Sequence, residues 1–223
     1  GVAFRMWRDS GALAVLAPAL ASLSDLALAT LDGLPRATRP AQARRTTNRL
    51  TALLLDVPPA VARATLRELR FSNDRARWIG DAVERWQEVG WPMRAALESR
   101  EAPSDATVRR WVATIGRTRV DSRRRVVYAR FGAERAAGAG NVSEASVRSL
   151  YRRASRIALR DPLETGDLAV DGADLMKAGI PAGPSVGAAL RSLLDWVLED
   201  PTRNTHDQLL ARARGLAGDS IHS

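Results

Sequence analysis

Three groups of residues in this 223-residue chain have the types and spacing to do chemistry: paired carboxylates, a glycine-proline turn and a dense run of arginines. The carboxylates offer least. Nucleotidyl transfer by two metal ions needs closely set acids to hold the ions, and nowhere here are two carboxylates separated by a single residue. Asp171 and Asp174 sit three apart and Glu199 adjoins Asp200. Aspartate favours helix starts, so both pairs are expected to cap or initiate helices. The turn is GIPAGPSVG. Its Gly183, Ser185 and Gly187 stand with Pro184 at the start of an expected helix, where backbone N–H groups can hold a phosphate. The same glycines also suit a plain tight turn, with Gly187 letting helices pack closely.

The arginines are the third group. Lys177 is the single lysine among 34 basic residues, and the net charge is +9. Arginine binds phosphate bidentately and stacks on bases, which suits nucleic acid. A GC-rich genome would also write arginine for lysine, so distribution matters more than number. Residues 1–102 hold 15 basic and 11 acidic residues, net +4. Residues 103–160 hold 14 arginines against Asp105, Asp121, Glu134 and Glu144, net +10, and residues 161–223 are net −5. A basic field concentrated in one segment is the electrostatic footprint of a polyanion partner. The candidate nucleic-acid-binding residues are therefore Arg109, Arg110, Arg117, Arg119, Arg123, Arg130, Arg148, Arg152, Arg153, Arg156 and Arg160, with Gly183, Ser185 and Gly187 of the turn.

Other chemistries are poorly supplied. There is no cysteine, so thiolate metal sites, disulfides and cysteine nucleophiles are excluded. His206 and His222 are the only histidines, too few for a histidine metal centre or a credible triad. No P-loop or GxGxxG occurs, and no apolar run approaches the roughly 20 residues of a membrane span. No signal peptide is visible in GVAFRMWRDSG, so the expected location is cytoplasmic, away from any membrane.

The elements that must position the arginines read as helices throughout. Aromatics are only 5% of the residues, and alanine and leucine dominate, which favours helix over strand. Helices are expected over Val2 to Ser10, over Leu13 to Leu23 with Pro18 dividing it, from Ser24 to Leu31, and from Arg44 to Leu55 after a Pro35 to Pro40 linker. Pro58 and Pro59 open the next helix. Ser72 caps a longer one that Gly90 is expected to end, with Trp78, Ile79, Val83 and Trp86 as its core stripe. Ser104 caps a helix that Gly116 ends, and Arg119 to Phe131 follows. There Arg119, Arg123 and Arg130 cluster beside an apolar face of Val120, Val127 and Phe131. Gly132 to Asn141 is read as a glycine-alanine loop. The helix from Ser143 to Arg160 puts Val147, Leu150, Tyr151, Ala154, Ile157 and Ala158 on one side. Arg148, Arg152, Arg153, Arg156 and Arg160 take the other, at about 100° per residue. The arginines are read as lacking acidic i, i+4 partners.

The stretch from Leu168 to Thr205, LAVDGADLMKAGIPAGPSVGAALRSLLDWVLEDPTRNT, closely resembles the C-terminal region of bacterial tRNA nucleotidyltransferases, the CCA-adding enzymes and their poly(A) polymerase relatives. Trp7 to Leu20, WRDSGALAVLAPAL, resembles the end of that family's neck. Arg49 to Trp86, with its LRFSN, resembles the body. The resemblance implies an all-α, elongated multi-helical array, divided as neck-end and body over 1–160 and tail over 161–223. It implies a tRNA-binding portion that grips the acceptor stem and elbow and so positions the tRNA 3′ end. Nucleotide addition, with its magnesium and nucleoside triphosphates, would belong to an N-terminal head that these residues do not include, so this portion by itself is expected to be non-catalytic. The metal-binding Asp-x-Asp and the nucleotide-selecting acid-arginine motif of that family are not found here, nor is the additional His-Asp domain of some members. Two alternatives remain: an independent helical adaptor that binds RNA or protein without enzymatic role, and a helical support whose arginines reflect genome composition.

Overall fold

The computed structural model describes residues 1–35, 42–99 and 101–219. Among these residues the chain is all α, with twelve α-helices, a few short 3-10 turns and no strand. Of the expected Pro35 to Pro40 linker, residues 36–40 lie outside the described residues, as does His222.

The helices form two compact units. The first comprises residues 1–103 and 118–152; the second comprises 104–117 and 153–223. The first unit begins with α1 (Val2–Asp9) and α2 (Ala12–Leu16). Pro18 stops α2 and opens a 3-10 turn, Pro18–Leu20. In α3 (Asp25–Asp32), the Ser24 hydroxyl accepts from the Ala27 N–H, satisfying one of the donors that every helix start leaves open. Then follow α4 (Gln42–Leu54) and α5 (Pro59–Glu68), the latter with proline in its first turn, where a missing N–H costs nothing. Leu28, Leu53, Leu54, Leu66, Ile79, Met93 and Phe131 are fully buried at the centre of this unit.

The longest helix, α6 (Asn73–Glu98), starts at the Ser72 cap as expected but does not end at Gly90. Its course runs through Gly90 and Pro92 for two further turns. The glycine serves packing instead. A Cβ at Gly90 would lie 2.7 Å from Cε2 of Trp86, whose buried ring covers that part of the backbone and tilts against Phe131 at 6.0 Å. Trp78 also departs from the expected core stripe. Ile79, Val83 and Trp86 are buried, whereas Trp78 is 36% exposed. At about 100° per residue, Trp78 stands about 80° away from Trp86 and 100° from Ile79, off the stripe's axis.

Helix α8 (Val120–Ala136) is longer than expected, and the loop that follows is correspondingly shorter. Glu134 explains the difference. It is 1% exposed and accepts from Arg130 one turn earlier at 2.6 Å and from Arg94 of α6, so the residues after Phe131 are tied into the helix. Helix α9 (Glu144–Arg160) starts at Ser143, whose hydroxyl accepts from the Ser146 N–H at 3.0 Å.

The second unit is built on α7 (Asp105–Ile115), the end of α9, α10 (Gly172–Lys177), α11 (Pro184–Glu199) and α12 (His206–Asp219). Ser104 caps α7, and Gly116 at φ 93° ends it in a conformation that suits glycine. Asp171 and Asp174 form a reciprocal capping box at the start of α10. Asp200 caps a 3-10 turn, while Glu199 is the last residue of α11. Leu175, Leu193, Val197, Leu209 and Ala213 are buried together in this unit.

Candidate nucleic-acid interface

The arginines of residues 103–160 divide by what their guanidinium groups touch. Helix α9 has the two faces its periodicity predicts. Val147, Leu150, Tyr151, Ala154, Ile157 and Ala158 are buried. Arg148, Arg152, Arg156 and Arg160 are exposed, and Arg153 is half-buried. Two of the five are paired, contrary to the expectation of a helix without acidic partners. Arg148 donates to Glu144 one turn earlier at 2.8 Å, and Arg153 donates to Asp105 at 2.6 Å. Arg152, Arg156 and Arg160 form no ion pair with a described carboxylate. They succeed one another at i, i+4, about 6 Å apart along the axis.

Arg109 of α7 and Arg117 of the turn after it bind within the second unit. Arg109 binds Asp161 at 2.7 Å and donates to the Leu198 and Glu199 carbonyls at 2.9 and 3.1 Å. Arg117 donates to the Ala158 carbonyl at 2.7 Å and to Asp167 at 2.6 Å. Each thus covers carbonyls that a helix end leaves without N–H partners, those of α11 and α9 respectively, with the charge that the helix dipole favours there. Arg110 pairs with Glu199 while remaining half in solvent.

Arg119, Arg123 and Arg130, expected to cluster beside the apolar face, are drawn into the first unit. Arg130 is 7% exposed and bridges Asp56 at 2.6 Å and Glu134. Burial pulls its pKa down, but these two carboxylates more than offset that. Arg123 is 3% exposed and donates to the Ala82 carbonyl of α6. Neither side chain presents its guanidinium to solvent, so the outward basic field is narrower than the sequence suggests. Arg119 lies 3.7 Å over the Trp78 ring, donates to the Trp78 carbonyl at 3.1 Å and approaches Asp81 at 3.6 Å. Burial lowers its pKa from the ordinary arginine value, and Arg85 nearby adds to that.

The glycine-proline turn is exposed. Gly183 precedes Pro184 at φ 103°, and no side chain caps α11. Ser185 is exposed, and Gly187 is half-buried. A Cβ on Gly187 would meet only Arg191 of its own helix, at 3.4 Å; it is Gly172 whose Cβ would crowd another element, at 3.1 Å from Val186.

Among the described residues there is no group of three or more histidine, aspartate or glutamate side chains that could hold a metal ion. No described helix is long and apolar enough to cross a membrane.

Over 50 residues the chain is 44% identical to a CCA-adding enzyme of Limosilactobacillus fermentum (strain NBRC 3956 / LMG 18251). The matched stretch is 22% of this chain and spans only 12% of that protein. No family model matches the chain, and no solved structure matches it. The chain therefore has a local similarity to a CCA-adding enzyme, within an all-α fold.

Trp78 is the residue that sequence reasoning misplaced most. The signal was present in its helical angle, which sets it apart from Ile79, Val83 and Trp86. The burial of Arg123 and Arg130 had no such signal, because their partners Ala82 and Asp56 lie far away in sequence.

Proposed function

We propose that this chain is an RNA-binding portion of a tRNA nucleotidyltransferase-like protein, one that holds tRNA by its phosphates and places the 3′ end for nucleotide addition elsewhere. The observation behind the reading is the rank of Arg152, Arg156 and Arg160 on α9, exposed and in no ion pair with a described carboxylate, although Arg156 is near enough to Asp105 to act on it through space. A solvated helix face ordinarily mixes signs; one that does not attracts a polyanion. The local similarity to a CCA-adding enzyme supports tRNA as that polyanion. An A-form stem suits such a face, since its deep, narrow major groove hides base edges and leaves shape, 2′-hydroxyls and phosphates to be bound. Cationic side chains one helical turn apart meet phosphates without reading sequence.

The test is fluorescence anisotropy with a labelled tRNA and the Arg152→Gln/Arg156→Gln/Arg160→Gln variant. Charge-assisted hydrogen bonds are worth about 1.5–3 kcal/mol each where they are desolvated and less at the surface. Loss of three should weaken binding by about 10- to 100-fold, and equally for tRNAs of different sequence. Unchanged affinity would remove the face from the account. Failure of the wild type to bind any tRNA at low salt would favour a protein-binding adaptor instead.

A further inference from the structure

A second feature lies in the first unit and does not rest on the α9 face. Helices α4, α6 and α8 enclose an open cleft of about 700 Å³, lined by Thr47, Asn48, Arg75, Trp78 and Ser122 among others. Sharing Thr47, Asn48, Trp78 and Ser122 with it is a narrow annex of about 10 Å³, bounded by Arg119 and Arg123. The cleft is of small-molecule size, and the annex admits one oxygen-sized group.

Arg123 makes the annex unusual. Its Nη2 donates to the Ala82 carbonyl, but Nη1 is buried and has no hydrogen-bond partner. The charged groups acting on it are cationic, Arg119 and Arg85. The phenol of Tyr151 is close enough to interact, and its buried oxygen is likewise without a partner. Burial holds the Arg123 pKa down at about 10; Tyr151 opposes it with the largest effect after burial, Arg119 and Arg85 each add to the lowering, and the group is still a cation at neutral pH. A buried cation with an open donor and no carboxylate is costly unless an anion completes it. The acids at the cleft rim are occupied elsewhere: Asp121 pairs with Arg124 at 2.9 Å, and Asp74 lies 3.9 Å from Arg77. Beside the annex stands the partly exposed Trp78 ring, with Arg119 already laid over it. An anion donor next to an aromatic platform matches a phosphate joined to a flat base.

We propose that this cleft is a nucleotide site, with a phosphate oxygen entering the annex toward Arg119 and Arg123 and the base against Trp78. The nucleotide is either free or an unpaired residue of an RNA chain. Both sources present the same phosphate and base.

Isothermal titration of the full chain with AMP, adenosine and inorganic phosphate, at matched ionic strength, tests the assignment. AMP should bind at least about tenfold more tightly than adenosine or phosphate. Arg119→Gln should weaken AMP by about 10- to 100-fold through a lost charge-assisted bond. Trp78→Leu should weaken it by about 5- to 100-fold through lost stacking. Arg123→Met should melt no lower than the wild type, since it removes an unpaired buried cation, and should lose the AMP-dependent rise in Tm. If Arg123→Met does not fold, the two partly exposed sites decide. AMP binding no tighter than phosphate, or AMP affinity unchanged in both Arg119→Gln and Trp78→Leu, overturns the assignment. Displacement of AMP by an unpaired oligoadenylate identifies RNA as the source, and no displacement identifies a free nucleotide. tRNA binding without AMP binding overturns the cleft alone.

Discussion

Replacing Glu134 by glutamine should unfold the first unit far more readily than its small chemical change suggests. Glu134 is 1% exposed, and one of its oxygens, Oε1, takes both Arg130 Nε, at 2.6 Å, and Arg94. Glutamine keeps the shape but removes the charge, leaving two guanidinium groups on a neutral acceptor. Breaking a buried ion pair from one side costs about 3–5 kcal/mol. Here Arg130 retains Asp56, and the Arg94 side chain is 22% exposed and can turn toward water, so a loss of about 2–3 kcal/mol is expected. For a chain of this size that lowers Tm by about 4–12 °C. The control is Asp56→Asn. Its carboxylate touches the same Arg130 at 2.6 Å but is 45% exposed, and exposed pairs are worth about 0.2–1 kcal/mol. Urea titrations followed by tryptophan fluorescence would compare the two variants. A Glu134→Gln loss no larger than that of Asp56→Asn would refute the claim that a buried acid holds α8 to α6.

Other outcomes follow from the same packing and electrostatics. Gly90→Ala should destabilise by about 1–2 kcal/mol, although alanine favours helix by about 1 kcal/mol, because the new Cβ would meet the buried Trp86 ring at 2.7 Å; a gain in thermal stability would contradict this packing. The second unit should weaken in acid. The Arg153 bond lowers the pKa of Asp105; burial pushes Asp167 up, but the Leu163 and Glu164 N–H groups and Arg117 more than reverse it; and the Asp174 and Ala173 N–H groups lower Asp171. A depressed carboxylate contributes stability above its unfolded value, near 4, and loses it as pH falls through the folded one. The midpoint of urea unfolding should therefore fall between pH 5 and pH 2.5, and less so in Asp167→Asn; a flat profile would count against these contacts.

How much could be read from the chain alone depended on the range of the interactions. The caps at Ser24, Ser72 and Ser104, the breaks at Pro18 and Pro58, the Gly116 stop and the Asp171–Asp174 box are all local, and each stands where the sequence places it. The two faces of α9 follow from helical angle alone. Gly90 was misread because glycine is both a helix stop and a way to admit a large ring, and only the fold shows Trp86 above it. The end of α8 was misread for a related reason. Glycine and alanine suggest a loop, but Glu134 is held by Arg94 from a residue 40 positions away. The arginines were legible as a charge but not as a surface. Burial of Arg123 and capping by Arg109 and Arg117 depend on partners 41 to 90 residues distant.

The salt dependence of tRNA binding tests the central claim most directly. Each arginine that neutralises a phosphate contributes about −0.7 to −0.9 to the slope of log K against log salt. With Arg152, Arg156 and Arg160 engaged, the wild-type chain should give a slope of about −2 to −3 or steeper, flattened by about 2 in the triple glutamine variant. Binding that ignores salt, or a slope that the three substitutions leave unchanged, would contradict the assignment of α9 as the RNA-binding face.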